Sequence, residues 1–210
     1  MGTQKHLDEP TRRCLVEDPR DSEIFLRRLR RRVSLHERQL IDLAYRLSKY
    51  AHRGQTRDGG ERYFDHPKSV ALILIDELQI YDADMIIAAL LHDVVEDTWM
   101  LSHRDVALIF GTRVARMVKL LTKERNPTAV QKLRYLKRIA TADEDIRIIK
   151  LADRLHNVRT LSTCSADKIS RNLSETCDVF VPMAQKTNPY LAEQLRKACA
   201  EIADGRGDIP

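Results

Sequence analysis

The chain has 210 residues, 43% hydrophobic and 32% charged, with only seven glycines and seven prolines. Few helix breakers beside so many charges predict an all-α fold and exclude collagen-like, linker-like and disulfide-stapled classes. No apolar run reaches the roughly 18 residues of a transmembrane helix. The net charge of +5 is carried by Arg27, Arg28, Arg30, Arg31 and Arg32, since all other charges balance.

Residues 1–33 read as an N-terminal extension. It is polar to residue 20, then a basic amphipathic helix over 23–33 with Phe25, Leu26, Leu29 and Val33 on one face. A solvated helix face accounts for the arginines better than nucleic-acid binding does. No apolar stretch of a signal peptide opens the sequence, and Cys14, Cys164, Cys177 and Cys199 show no CxxC spacing. Together these predict reduced thiols in a cytoplasmic protein with no membrane partner.

One helical domain is expected over 34–203. Ser34 and Glu37 form a capping-box pattern that starts a helix to about Ala51, with Leu40, Ala44, Leu47 and Ala51 inward. A loop from Arg53 to Asp65 holds Gly54, Gly59 and Gly60, and His66-Pro67 opens the next helix with Pro at its first position. Further helices are predicted at 84–98, 103–109, 112–122, 128–141, 143–161, 166–187 and 189–203. Asn126-Pro127 and Asn188-Pro189 read as cap-plus-Pro starts. Residues 204–210 read as a flexible tail.

Three segments carry side chains suited to chemistry. His92, Asp93, Glu96 and Asp97 follow the apolar run IIAALL and, on one helix, fall within an arc of about 140°. Three carboxylates against a core repel one another unless a cation neutralises them; the plainer alternative is an exposed acidic helix end. Lys150, Asp153, Asn157 and Thr160 form a stripe on another helix, which suits either a metal beside an oxygen-rich ligand or a salt-bridged polar face. The Gly-rich loop carries Arg57 and Tyr63, a pair able to hold an anion or stack on a base. His66, His92, Asp93 and Asp153 together offer two imidazoles and two carboxylates. Such a set suits a borderline ion such as Mn²⁺, Fe²⁺ or Co²⁺ better than a thiolate zinc site.

The blocks HPKSVA, AALLHDVVEDT and IIKLADRLHNVRTL, with SETCDVFVPMA and TNPYLAEQL after them, resemble the HD-superfamily hydrolase domain of RelA/SpoT proteins. The resemblance covers roughly residues 38–195 and is similar to the small alarmone hydrolases, which lack a synthetase portion. It implies an all-helical, Mn²⁺-dependent enzyme of the stringent response. Such an enzyme removes the 3′-diphosphate of guanosine tetra- or pentaphosphate, giving GDP or GTP and pyrophosphate. It implies His66, His92, Asp93 and Asp153 as metal ligands, and Glu96 and Asp97 as the pair that orients and activates water. It further implies that Arg57 stacks on the purine and that Tyr63, Asn157 and Thr160 contact the nucleoside. The same chemistry on an adenosine alarmone or on the 2′-phosphate of NADPH remains an alternative, as does a nucleotide-binding, antitoxin-like module with little turnover. The expected partner is a small nucleotide, and the oligomeric state, a homo-oligomer included, stays open.

One departure stands out. The family's loop commonly reads Arg-Lys-Ser-Gly-Glu-Pro-Tyr, whereas this chain has Arg57-Asp58-Gly59-Gly60-Glu61-Arg62-Tyr63. Asp58 replaces a base and is expected to shift the choice of alarmone, with Arg62 restoring the lost charge from another angle.

Overall fold

A computed structural model describes residues 20–205. The expected looseness of the first residues and of the tail, together with Cys14, falls on 1–19 and 206–210, outside the described residues. Within them the architecture is all-α: there is no strand, only one bridge between Thr56 and Arg62 that folds the loop back on itself. None of the described helices is long and apolar enough to cross a membrane.

The helices are α1 (Arg20–Leu26), α2 (Leu35–Ala51), α3 (Asp65–Leu72), α4 (Ala83–Leu91), α5 (Val94–Asp97) and α6 (His103–Phe110). They continue with α7 (Thr112–Leu121), α8 (Ala129–Ala140), α9 (Glu144–Arg159), α10 (Ala166–Glu175), α11 (Val181–Thr187) and α12 (Pro189–Ala203). Two π-helical turns, Ile73–Glu77 and Thr176–Phe180, extend α3 and join α10 to α11. Every residue of α4 except Asp84 is buried, as an all-round apolar helix must be when it runs through a core. It packs against α2, α3 and α7, while α9 crosses α3, α4, α11 and α12. The site lies where α3, the end of α4 and α9 converge.

Local chemistry explains most boundaries. Ser34 and Glu37 close the expected capping box on α2, and equivalent boxes start α6 (Ser102–Asp105) and α8 (Thr128–Gln131). Each cap satisfies amides that the helix cannot, worth about 1 kcal/mol. Asn188 and Pro189 start α12 as expected. Asn126-Pro127 does not start α8: Thr128 is the cap, because Gln131 completes its box, and Asn126 instead takes a left-handed turn at φ 49°.

Three more expectations need correction. The first helix runs over Arg20–Leu26 and a 3₁₀ turn Arg27–Leu29, not 23–33, because Arg31 turns the chain at φ 65°. Its buried anchors are Phe25 and Leu29, with the Phe25 ring 5.2 Å from that of Tyr45. In α2 the inward stripe is Ile41, Ala44, Tyr45, Leu47 and Ser48, which leaves Leu40 and Ala51 half-buried. Pro67 is the third residue of α3 rather than the first; the opening amides of a helix lack partners in any case, so Pro is tolerated there.

Candidate metal centre and substrate cleft

The predicted helix over 84–98 does not run straight through. It breaks at His92 and Asp93, where Asp93 sits at φ −91°, ψ −15° between α4 and α5. The backbone stays close to helical across the break, with Asp97 N–H donating to Asp93 O at 2.8 Å, and the Tyr63 hydroxyl reaches both Asp93 and Asp97. His92 and Asp93 stay buried at the end of α4, whereas Glu96 and Asp97, one turn on, find separate partners.

His66 on α3, His92 at the end of α4 and Asp153 on α9 converge, each offering a donor atom within 4.8 Å of the others. His66 Nε2 is 3.1 Å from Asp153 Oδ1 and 3.6 Å from Asp93 Oδ2; His92 Nε2 is 3.2 Å from Asp93 Oδ1 and 3.9 Å from Asp153 Oδ1. Donors about 2.1 Å from one ion and at right angles stand about 3 Å apart, so the spacing fits one small divalent cation. Three of the four sequence-predicted ligands, His66, His92 and Asp153, thus converge on one point, and Asp93 lies beside them with one carboxylate oxygen toward each imidazole.

Tautomers agree with that reading. His92 Nδ1 lies 2.8 Å from the carbonyl oxygen of Ala89, to which it donates, and its buried Nε2 has no hydrogen-bond partner. A buried nitrogen lone pair aimed at two carboxylates is costly unless an electrophile meets it. His66 Nδ1 is 2.9 Å from Nδ1 of His156. Burial, with the charges of His66 and Arg57 nearby, pushes His156 down to about 3, so it stays neutral and one of the two facing Nδ1 atoms accepts a hydrogen bond from the other. That leaves His66 Nε2 facing the carboxylates.

Asp153 is buried, and burial pushes its carboxyl up. The Lys150 ammonium and the imidazoles outweigh this and hold it well below the usual carboxylate range. Lys150, also buried, donates to Asp153 Oδ2, and Asn157 Nδ2 donates to Oδ1 at 2.6 Å. Asp93 is likewise lowered: burial opposes ionisation, and His92 and His66 overcome it.

Glu96 Oε2 accepts the Lys123 backbone N–H at 2.8 Å, and burial raises its carboxyl above the ordinary value against the pull of Lys123. Asp97 Oδ2 accepts the Tyr63 hydroxyl at 2.5 Å; the same hydroxyl lies 3.2 Å from Asp93 Oδ2. Burial and these carboxylates hold the Tyr63 phenol protonated. Its ring stacks on His52 at 4.5 Å.

The Gly-rich loop forms the outer wall. Arg57 N–H donates to Glu61 O, Gly60 N–H to Arg57 O and Tyr63 N–H to Gln55 O. Gly60 is at φ +87°, and a Cβ on Gly59 would meet Glu61 Oε2 and Thr163 Oγ1 at 2.6 Å. The Arg57 guanidinium donates to Asn157 Oδ1 (2.6 Å) and Thr160 Oγ1 (3.0 Å), so these three predicted contacts form one cluster. Arg57 and Thr160 border a cleft of about 230 Å³ that is also lined by Tyr63, Asp58 and Lys168.

Asp58 does not stand free in the cleft. Lys168 on α10 pairs with it and lowers its carboxyl. Arg62 does not restore the missing base: it pairs with Asp65 at 3.2 Å and borders a different pocket, beside Phe25 and Lys49. The reason is local, since Asp65 is three residues away at the start of α3. Sequence reasoning also missed His156 and His52. The first is legible as a residue three after Asp153 on α9, but nothing in its spacing names His66 as its partner.

A helical fold that buries a His/Asp donor set beside a polar cleft defines a class of metal-binding helical domain. Residues 44–188 match the family described as HD domain, and the chain belongs to that family. It is 41% identical over 150 residues to the bifunctional (p)ppGpp synthase/hydrolase SpoT of Escherichia coli K12, covering 68% of this chain and 21% of that protein. It is 36% identical over 171 residues to the GTP pyrophosphokinase rsh of Brucella melitensis biotype 1, covering 78% of this chain and 22% of that one. The protein named guanosine-3′,5′-bis(diphosphate) 3′-pyrophosphohydrolase in Escherichia coli O157:H7 matches at 41% over 150 residues, with 68% and 21% coverage. The chain thus spans about a fifth of the length of these relatives. Among solved structures it is similar to a metazoan ortholog of SpoT, described as hydrolysing ppGpp. The TM-score is 0.71 at 28% identity, covering 80% of this chain and 96% of that one.

Proposed function

We propose that the chain is a divalent-metal-dependent 3′-pyrophosphohydrolase of guanosine tetra- and pentaphosphate. The observation that carries this reading is the buried His66, His92 and Asp153 group, with Asp93 beside it, joined by the Asn157–Asp153 hydrogen bond to the Arg57–Asn157–Thr160 cluster. The names of the relatives support the substrate class. Their shared length does not include the greater part of those proteins, so the activity is our inference for this chain.

In the reaction, water adds to the phosphorus carried by the 3′-oxygen. That P–O bond breaks, pyrophosphate leaves, and the 3′-oxygen takes a proton to give GDP or GTP. A bound cation would lower the pKa of water and offset charge on the phosphoryl oxygens. Mn²⁺ is the proposed ion, and Fe²⁺ and Co²⁺ suit the same mixed N/O donors. Glu96, raised by burial, accepts the proton of the attacking water. Asp97, fixed by the Tyr63 hydroxyl, orients that water. Arg57 presents its guanidinium plane to the purine while Asn157 and Thr160 hold its edge and the ribose side. His156 fixes the ring of His66. The free Cys164 and Cys177 suit a reducing cytoplasm.

The test is product chromatography after incubating the Mn²⁺-loaded protein with guanosine and adenosine 3′-diphosphates and with NADPH. Pyrophosphate and GDP from the guanosine substrate, abolished by chelation, are expected. Phosphate from NADPH alone would move the substrate elsewhere, and no turnover of any member would overturn the reading.

A further inference from the structure

A second cavity, of about 250 Å³, lies between α7 and α8, apart from the Arg57 cleft. It is bordered by Lys119, Lys123, Lys132, Arg134 and Arg138, with Glu124 as its one carboxylate. Glu124 is engaged by the Gln131 amide, and Lys132 by Glu175 from outside. Arg138 donates to the carbonyl oxygens of Leu120 and Thr122. Among the described residues Lys119 and Arg134 make no ion pair, and the Lys123 ammonium acts on Glu96 and Asp93 without a carboxylate in salt-bridge contact. Like charges gathered around a concavity repel one another and focus a positive potential inside it. The volume falls below the roughly 300–1,000 Å³ of pockets for drug-sized ligands, which favours a compact polyanion over a whole nucleotide.

The floor of this cavity approaches the metal centre by way of Lys150. Tyr135 lines it, and its ring lies 6.0 Å from Lys123 Nζ, 5.2 Å from Arg138 Cζ and 5.6 Å from Lys150 Nζ. Lys150 is the partner of Asp153. The adjoining segment also holds Glu96: the Lys123 N–H binds its carboxylate, and Arg125 Nε donates to its carbonyl oxygen at 2.9 Å. An anion that draws in Lys123 therefore acts on the backbone that positions Glu96.

We propose that this cavity is a second anion site, taking a compact polyphosphate of the pyrophosphate or tripolyphosphate kind, and that its occupancy is felt at Glu96 through Lys123. The phosphate chain would come either from a free polyanion or from a distal phosphate of the bound nucleotide. The site itself does not depend on the hydrolase reading; only the kinetic arm below does.

The test titrates inorganic pyrophosphate and tripolyphosphate by calorimetry into the metal-loaded protein and into K119Q/R134Q, with NMR of the Tyr135 and His103 rings. Both substituted residues are exposed and make no ion pair, so the variant keeps its fold. Binding at least about tenfold weaker in the variant, with ring shifts seen only in the native chain, is expected for the loss of two facing charges. Equal binding by both proteins, with shifts confined to the histidines of the metal centre, would overturn the site. In the kinetic arm, a raised KM for the nucleotide in the variant assigns the site to a substrate phosphate. A turnover that responds to tripolyphosphate in the native chain alone assigns it to a free polyanion. If neither protein hydrolyses anything, the proposed activity fails while the binding result still decides the site.

Discussion

Lys150→Met isolates the charge balance at the metal centre. Lys150 and Asp153 are 5% and 3% exposed, and the ammonium donates directly to the carboxylate. Removing one partner of a buried ion pair costs about 3–5 kcal/mol, because the other charge is left uncompensated. Asp153 keeps Asn157 at 2.6 Å and His66 at 3.1 Å, which places the loss near the lower end. At roughly 2–4 °C per kcal/mol for a chain of this size, the melting temperature in EDTA should fall by about 6–12 °C. The sign with pH is fixed by the lowered carboxyl of Asp153. Its contribution is complete above the ordinary unfolded value of about 4 and fades only as the pH drops toward the lower native value, so a melt at pH 7 reads all of it. Adding Mn²⁺ should raise the melting temperature more in the variant than in the native chain. A divalent ion replaces the missing charge and no longer meets the repulsion of Lys150. The assay is paired thermal melts by circular dichroism. A variant that melts within about 2 °C of the native chain in EDTA, or gains no more from Mn²⁺, refutes the argument.

Glu96→Gln should keep its metal but lose roughly 10²- to 10⁴-fold in kcat; metal analysis showing an empty variant would make Glu96 a ligand instead. Because burial raises the Glu96 carboxyl, kcat of the native chain should climb with pH through an acid limb above the ordinary carboxylate value, and that limb should vanish in the variant. Asp153→Ala should lose metal and turnover together, and full activity would remove Asp153 from the donor set. Asp58→Lys breaks an ion pair whose side chains are 59% and 43% exposed, so stability should move by less than about 1 kcal/mol. It should lower KM for the pentaphosphate more than for the tetraphosphate. A switch between guanosine and adenosine at unchanged KM would mean that Asp58 reads the base.

Helices were legible wherever one residue type dictates the answer. The Ser34–Glu37 box, the Asn188-Pro189 start and the apolar run of α4 each carry their own physics, and the structure follows them. Boundaries failed where a competing local bond won. Thr128 outbid Asn126 because Gln131 closes a second bond. The first helix stopped early because Arg31 adopts a left-handed turn that no side-chain pattern announces. The single-helix reading of 84–98 failed for a different reason. Periodicity assumes a uniform 100° per residue, and the turn at His92–Asp93 that separates α4 from α5 lies outside that assumption.

The candidate donor set comes from the resemblance of its sequence blocks and not from spacing, which does not establish a shared site; the structure adds that His66, His92, Asp93 and Asp153 are all buried, where polar groups seldom persist without a partner. What linear order withholds is which neighbour each side chain engages. Asp58 shows why this matters for specificity. Along the loop, the residue that would answer its charge is Arg62, four residues on. In the fold, Arg62 turns to Asp65, and the answering cation is Lys168, 110 positions away on α10. The pair ties the Gly-rich loop to that helix, so under the proposed function a phosphate entering the cleft competes with a carboxylate for Lys168 as well as approaching Arg57. On the proposed reading, substrate choice at this loop depends on two elements far apart in sequence, and exchanging Asp58 alone tests only half of it; Asp58→Lys with Lys168→Asp, which restores the pair in reverse, separates the charge of the cleft from the tether between loop and helix.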